Sequence, residues 1–317
     1  MNSIPKIVFM GTPQFGAIIL QGLIKSEYKP VLVITAPDKP VGRKQILTPP
    51  AVKVMAEKYQ ILVLQPDTIR NLESEIRNLK PDLAIVAAYG QIIPRDILEI
   101  PQYGFLNVHP SLLPRWRGPS PIQTTILNGD TETGVTIIKM AEKVDAGEIV
   151  SSIRYLVSRD ETCKTLHDKL VEFGVKLLID TIPNWLDEKI KPQAQDDSKV
   201  TYTKTLKRED GKVDWKKSAE EIERQIRAFE VWPESFTFWE KSGKLLRIKI
   251  LKARIKKTTG GMSFPVGKTL VVPQNELGVQ CGKDFLVIEK LQLEGKKEMF
   301  SEDFLRGHLD FIGTILK

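Results

Sequence analysis

The chain has 317 residues, of which 41% are hydrophobic and 27% charged, with a formal net charge of +7. That length suits two domains, and the composition is that of a globular protein with a real core rather than a disordered chain. No apolar run reaches the roughly 20 residues of a membrane span, and the short apolar stretch before Gly11 and Pro13 is too brief for a secretory leader. The two cysteines, Cys163 and Cys281, are far apart and make neither a disulfide framework nor a metal cage. A cytoplasmic protein with reduced thiols is expected.

In chain order, residues 6–10 are a buried strand candidate, followed by Gly11-Thr12-Pro13 and an amphipathic helical stretch over 15–25. A second strand is expected at 31–35, then a loop rich in Pro, Gly and basic residues over 36–50. Residues 51–59 read as helix, 61–64 as strand, 68–79 as helix, 82–88 as a continuous apolar strand and 105–109 as another. Near-continuous apolar strands separated by helices predict a doubly wound, mostly parallel α/β sheet covered on both faces. Two further strands are expected at 134–140 and 148–157, then a long helix over 162–186 with Thr162 as a possible N-cap.

Residues 191–211 are polar and lysine-bearing and read as a linker between a first domain, 1–190, and a second, 212–317. Beyond it come a helix over 219–229 and short strand-like runs at 235–239, 245–253, 269–272, 278–281 and 285–293. Several short strands in about 100 residues predict a small barrel. Charge is unevenly divided. Residues 1–190 carry 22 Lys+Arg against 21 Asp+Glu, leaving 47 − 22 = 25 against 40 − 21 = 19 for residues 191–317, an excess of +6. Such a basic half fits contact with a polyanion, nucleic acid before membrane; a solvated basic surface fits the charge equally well. No coiled-coil seam appears, and a monomer is expected.

The sharpest local feature is Asn107-Val108-His109-Pro110-Ser111-Leu112-Leu113-Pro114, which begins at the C-terminal end of a predicted parallel strand. Ligands bind at that edge of open α/β sheets. Two residues apart on a strand, Asn107 and His109 face the same side. An amide beside an imidazole can stabilise an oxyanion and move a proton. A hydrogen-bonded histidine at a strand end is the plainer alternative for His109. Asp145, in an Asp-Ala-Gly-Glu turn, could orient the imidazole, or simply serve the turn. The turn at Gly11 lacks both the dinucleotide fingerprint and the P-loop spacing, which removes a nicotinamide dehydrogenase from contention. The loop holding Lys39, Gly42, Arg43 and Lys44 is longer than a mere connector, and its cations could grip phosphates. No cluster of His, Cys, Asp and Glu has metal-ligand spacing, so no metal is expected.

Taken together, Asn107-x-His109, the following Ser-Leu-Leu-Pro and the later Asp145 resemble the folate-dependent formyltransferases in order and spacing. Phe9-x-Gly11-Thr12-Pro13-x-Phe15, Pro37-Asp38-x-Pro40-x-Gly42-Arg43, Ala88-Tyr89-Gly90, Leu112-Leu113-Pro114-Arg115-Trp116-Arg117-Gly118 and Trp232-Pro233 extend the match, as does Phe304-Leu305-Arg306-Gly307. The resemblance covers nearly the whole chain and is strongest to members that act on methionyl-tRNA. It implies a Rossmann-like formyltransferase domain followed by an OB-like barrel that binds tRNA. It also implies transfer of the formyl group of 10-formyltetrahydrofolate to the α-amino group of methionyl-initiator tRNA, for translation initiation. By the same resemblance Asn107, His109 and Asp145 are catalytic. Ser111, Leu112, Leu113, Pro114, Tyr89 and Gly90 hold the folate, and Phe15, Lys39, Gly42, Arg43 and Lys44 meet the methionyl-tRNA.

Two other readings compete. A formyltransferase of amino-sugar nucleotides shares the catalytic residues, but the basic loop at Arg43 and the Phe-Leu-Arg-Gly segment point to tRNA. A non-catalytic RNA-binding protein accounts for the charge, but not for Asn107, His109 and Asp145 together; aromatic residues are 7% and no RNA-recognition motif is visible.

Overall fold

The computed structural model describes residues 4–42, 44–258 and 264–317. By its contacts the chain forms two compact units. The first comprises residues 1–121, 131–157 and 167–204, the second residues 122–130, 158–166 and 205–317.

In the first unit, β1 (Ile7–Gly11), α1 (Gln14–Lys25) and β2 (Leu32–Ile34) lead into a small ribbon of β3 (Lys39–Val41) and β4 (Ile46–Thr48). Then come α2 (Ala51–Lys58), β5 (Leu62–Leu64), α3 (Glu73–Leu79), β6 (Leu83–Ala87), α4 (Arg95–Leu98) and β7 (Phe105–His109). After α5 (Pro121–Asn128), whose residues from 122 on belong to the second unit, β8 (Glu132–Lys139) and β9 (Ile149–Leu156) complete the sheet, and α6 (Cys163–Leu186) follows, in the first unit from residue 167 on. The seven strands are ordered β5-β2-β1-β6-β7-β8-β9. The first five are mutually parallel, β8 is antiparallel to β7, and β9 is antiparallel to β8. This is the mostly parallel, doubly wound sheet expected. β1, β6 and β7 are buried along their whole length, which is why they read as continuous apolar runs. The strand order reverses between β1 and β6, creating a crevice at their carboxyl ends. There the chain packs tightly: a Cβ on Gly11 or on Gly16 would meet the Ala87 carbonyl oxygen at 2.7 Å. Thr162 Oγ1 accepts from the Thr165 amide at the start of α6, as an N-cap does.

Three differences from the sequence reading have physical causes. The basic loop contains an exposed antiparallel ribbon, Lys39 opposite Thr48 and Val41 opposite Ile46. Pro40 and Gly42 mask a strand signal, yet proline is tolerated on such an edge. The helices α4 and α5 each begin at a proline-marked boundary and are too short to show a period. Third, residues 191–204 of the expected linker are an ordered part of the first unit. Gln193 exchanges backbone hydrogen bonds with Ile149, and Arg117 does so with Thr201 and Thr203. Polar side chains of this stretch are engaged too: Thr201 Oγ1 accepts from the Trp116 amide, and Gln195 bonds the Asp145 and Gly147 carbonyls.

In the second unit, α7 (Ala219–Ala228) is started by a capping box, in which Ser218 and Glu221 each bond the other's backbone amide. Six antiparallel strands follow: β10 (Phe236–Lys241), β11 (Lys244–Lys256), β12 (Thr269–Val272), β13 (Glu276–Gln280), β14 (Phe285–Leu293) and β15 (Glu298–Phe300). Their order is β10-β11-β14-β13-β12, with β15 on β14, and α8 (Ser301–Gly307) and a 3-10 turn (Leu309–Phe311) follow. Register shifts near Lys252 mark the bulge that bends the long β11. Trp239 is fully buried, its ring edge-on to Phe304 and Phe311. Residues 313–317 lie between the two edge strands. Phe238 and Lys317 exchange backbone bonds of 3.0 Å, while Gly313, Thr314 and Leu316 bond Thr269 and Gly267. Leu316 is buried in the core. The half-barrel is thus bridged along its open side. No helix of the described residues is long and apolar enough to cross a membrane.

Candidate active site

β7 lies between β6 and β8, with Asn107 opposite Ile138 and His109 opposite Thr136. The two-residue period of the strand puts both side chains on one face. Asp145 reaches them from the loop joining β8 and β9, where its φ is +49°. Aspartate is among the few residues that tolerate that left-handed conformation. The three side chains converge. Asn107 Nδ2 donates to Asp145 Oδ1 at 3.3 Å. His109 Nδ1 lies 3.6 Å from Asp145 Oδ2, with the two side chains 5% and 13% exposed. The Gly118 amide donates to the same Oδ2 at 2.8 Å. On the other side of the ring, His109 Nε2 lies 3.0 Å from the Trp116 carbonyl oxygen. A carbonyl only accepts, so Nε2 carries a proton there.

The Trp116-Arg117-Gly118 segment is itself shaped by special backbone. Trp116 has φ +62° and Gly118 φ +116°. A Cβ on Gly118 would meet Thr203 Oγ1 at 2.7 Å, so the glycine is required for both conformation and space.

Among the residues expected to hold the folate, Ser111 is fully buried and donates to the Arg115 carbonyl at 2.6 Å. Thr136 Oγ1 donates to the Ser111 carbonyl and accepts from the Leu113 amide, tying this turn to β8. Leu112 and Pro114 are half-buried, and the Leu113–Pro114 peptide bond is cis. Tyr89 is buried in the core beside Ile93 and Phe105, with its hydroxyl unpartnered. Burial pushes that phenol up to about 12. Its carbonyl accepts from Thr12 Oγ1 at 3.2 Å, and Gly90 follows exposed with φ +86°.

Of the residues expected to meet the tRNA, Phe15 is buried in the first turn of α1, its ring edge-on to His167. Lys39 lies exposed on β3, and Gly42 and Lys44 stand in the ribbon's turn. Arg43 lies outside the described residues. The ribbon is anchored at its base by Asp38, whose carboxylate takes Lys53 at 2.8 Å and Gln65 at 2.7 Å; these bonds hold it below its usual range.

The sequence reading missed Gln195. Its Nε2 donates to the carbonyls of Asp145 and Gly147, both at 2.7 Å. It also missed the Gly118 amide and the Trp116 carbonyl. Backbone groups leave no residue-type signal, and Gln195 sat in a stretch whose composition reads as linker.

The arrangement, an amide, an imidazole and a carboxylate at the carboxyl edge of a parallel strand, suits acyl transfer through an oxyanion. Comparison with known proteins agrees. Residues 5–182 match the formyl transferase family, and residues 205–309 match the formyl transferase C-terminal domain. A methionyl-tRNA formyltransferase of Bacillus velezensis is 45% identical over 306 residues, covering 95% of this chain and 94% of that one. Its counterpart in Bacillus subtilis is 43% identical over 314 residues, covering 98% and 97%. An N-formyltransferase from Helicobacter canadensis, solved with folinic acid and dTDP-3-aminofucose, superposes with a TM-score of 0.65. It covers 93% of this chain and 100% of that one at 20% identity, a likeness of fold alone. With both family models matched and relatives this similar end to end, the chain belongs to the formyl transferase family, among the methionyl-tRNA formyltransferases.

Proposed function

We propose that the protein transfers the formyl group of 10-formyltetrahydrofolate to the α-amino group of methionyl-initiator tRNA, giving formylmethionyl-tRNA for translation initiation. The observation that carries this reading is the convergence of Asn107, His109 and Asp145 at the carboxyl end of β7. The chain's relatives bear the name of that activity.

The chemistry follows from the residues. The methionyl amine attacks the formyl carbon, forming a tetrahedral intermediate whose oxygen becomes negative. Asn107 has two N–H groups, one of which points at Asp145. The other is available to the oxyanion, and the imidazole of His109 joins it where Nε2–H turns from the Trp116 carbonyl to the developing charge. The attacking amine must lose a proton and the departing folate nitrogen must gain one. His109 and Asp145, side by side, form the relay for that proton. The turn from Ser111 to Pro114, with Tyr89 and Gly90, forms the folate wall. There Tyr89 contributes its backbone, since its ring lies in the core.

Residues 1–190 carry the chemistry in this reading, and residues 212–317 with the ribbon around Lys39, Gly42, Arg43 and Lys44 hold the RNA. Several cations of the basic half are paired within it. On β11, Lys249 pairs with Glu234, Lys252 with Glu289 at 2.9 Å, and Arg254 and Lys256 with Glu276. The protein works as a cytoplasmic monomer in this account.

The test is formyl transfer to initiator methionyl-tRNA, run beside elongator methionyl-tRNA, glycinamide ribonucleotide and a 4-amino-sugar nucleotide. Formylation of the initiator alone is expected. Formylation of only a small-molecule amine would keep the catalytic site and remove the tRNA reading.

A further inference from the structure

We infer that Gln195 is a positioning residue for the formyl-transfer step, acting through Asp145; the inference rests on the catalytic reading of that aspartate. Asp145 stands on an irregular loop between two antiparallel strands, with a backbone conformation that only a few residue types adopt. Its carboxylate has to meet Asn107 and His109 within a few tenths of an ångström to be useful. Something must fix both ends of the residue.

The side-chain end is fixed by the Gly118 amide, at 2.8 Å from Oδ2. The main-chain end is fixed by Gln195. Both hydrogens of its amide are used there, one on the Asp145 carbonyl and one on the Gly147 carbonyl, each at 2.7 Å. Its oxygen accepts from Arg117 Nε at 3.0 Å. Arg117 is 4% exposed, immediately precedes Gly118 and also bonds Asp197 at 3.2 Å. The backbone of Arg117 is clamped in turn, its N–H on the Thr201 carbonyl and its carbonyl on the Thr203 amide.

One short segment, residues 193–203, therefore holds both grips. It starts from the beginning of β9 through Gln193 and Ile149, seats Gln195 under the Asp145 loop, and sets the position of Gly118 through Arg117. Only an amide satisfies this site: it donates twice to carbonyls and accepts once from a guanidinium. Glutamate would face two carbonyl oxygens with no hydrogen, and methionine would fill the volume with no bond.

The experiment measures single-turnover formyl transfer and KM for both substrates in the wild type, Gln195→Ala, Gln195→Met, Asp145→Asn and the double variant Gln195→Met/Asp145→Asn, with thermal melting alongside. Both Gln195 variants are expected to lose roughly 10- to 100-fold in rate, with both KM values within about twofold of wild type. Methionine should restore the melting temperature without restoring the rate. In the Asp145→Asn background, Gln195→Met should cost nothing further, because the group it positions is already gone. A wild-type rate in Gln195→Met, or the same factor lost again in the double variant, would overturn the inference while leaving Asp145 catalytic. Full activity in Asp145→Asn would instead overturn the reading of Asp145, and this inference with it.

Discussion

The Gly118 amide donates to Asp145 Oδ2 at 2.8 Å, so the carboxylate oxygen that faces His109 is held by a backbone group. A hydrogen bond from a rigid backbone fixes the acceptor without the rotamer freedom of a long side chain, which suits a group whose direction matters more than its strength of binding. The Asn107 amide closes the other carboxylate oxygen at 3.3 Å.

Asp145→Asn is the substitution of choice for the proton relay, because it keeps the shape of the side chain while removing its charge and one of its two acceptor oxygens. A loss of about a hundredfold to ten-thousandfold in kcat is expected, with melting close to wild type. Stopped single-turnover assays read the rate; a kcat within threefold of wild type would take Asp145 out of the chemistry.

Arg43→Ala tests the ribbon. It should raise KM for methionyl-tRNA and leave folate binding intact, since in sequence the residue belongs to the basic loop read as the tRNA contact. Affinity of the wild type for tRNA should fall steadily from about 50 to 200 mM salt if phosphates carry the binding. Unchanged kcat/KM for the tRNA in the variant would remove Arg43, and a flat salt profile would remove the basic footprint.

Both cysteines are buried, and burial pushes each thiol from 9.0 up to about 12. The folded chain therefore keeps these protons where the unfolded chain loses them. The stability this represents is full below about pH 9 and declines as pH rises from 9 towards 12, through ionisation of the unfolded thiols. A thiol-reactive dye at pH 8 should label neither cysteine of the native protein and both after denaturation. Rapid labelling of the native protein would contradict the burial of these side chains.

Leu316 sits in the core of the second unit at 4% exposure, on the segment that bridges β10 and β12. Leu316→Ala should destabilise that unit by roughly 2–5 kcal/mol. Denaturant unfolding followed through Trp239 fluorescence measures it. A change below about 0.5 kcal/mol, the range of surface substitutions, would show that the bridging segment does not belong to the core.

Much of this was legible in the chain itself, for physical reasons that also explain what was not. The strands β1, β6 and β7 are buried on both faces, so their apolar runs announced them. Asn107 and His109 could be paired because a strand's period is two. Asp145 needed the family resemblance, since an Asp-Ala-Gly turn alone is an ordinary turn. The ribbon at Lys39–Val41 hid behind Pro40 and Gly42. Gln195 was invisible because its partners lie 48 and 50 residues earlier, at Gly147 and Asp145. Polarity alone cannot tell a solvated linker from a segment whose amides and carboxamides are spent on the fold.

The most direct test of the account is the single-turnover rate of formyl transfer to initiator methionyl-tRNA in Asn107→Ala, at saturating folate donor. Loss of an oxyanion donor predicts a fall of about a hundredfold to a thousandfold, with tRNA affinity unchanged. A near-normal rate would contradict the assignment of the oxyanion site to β7 and with it the catalytic reading of Asn107, His109 and Asp145.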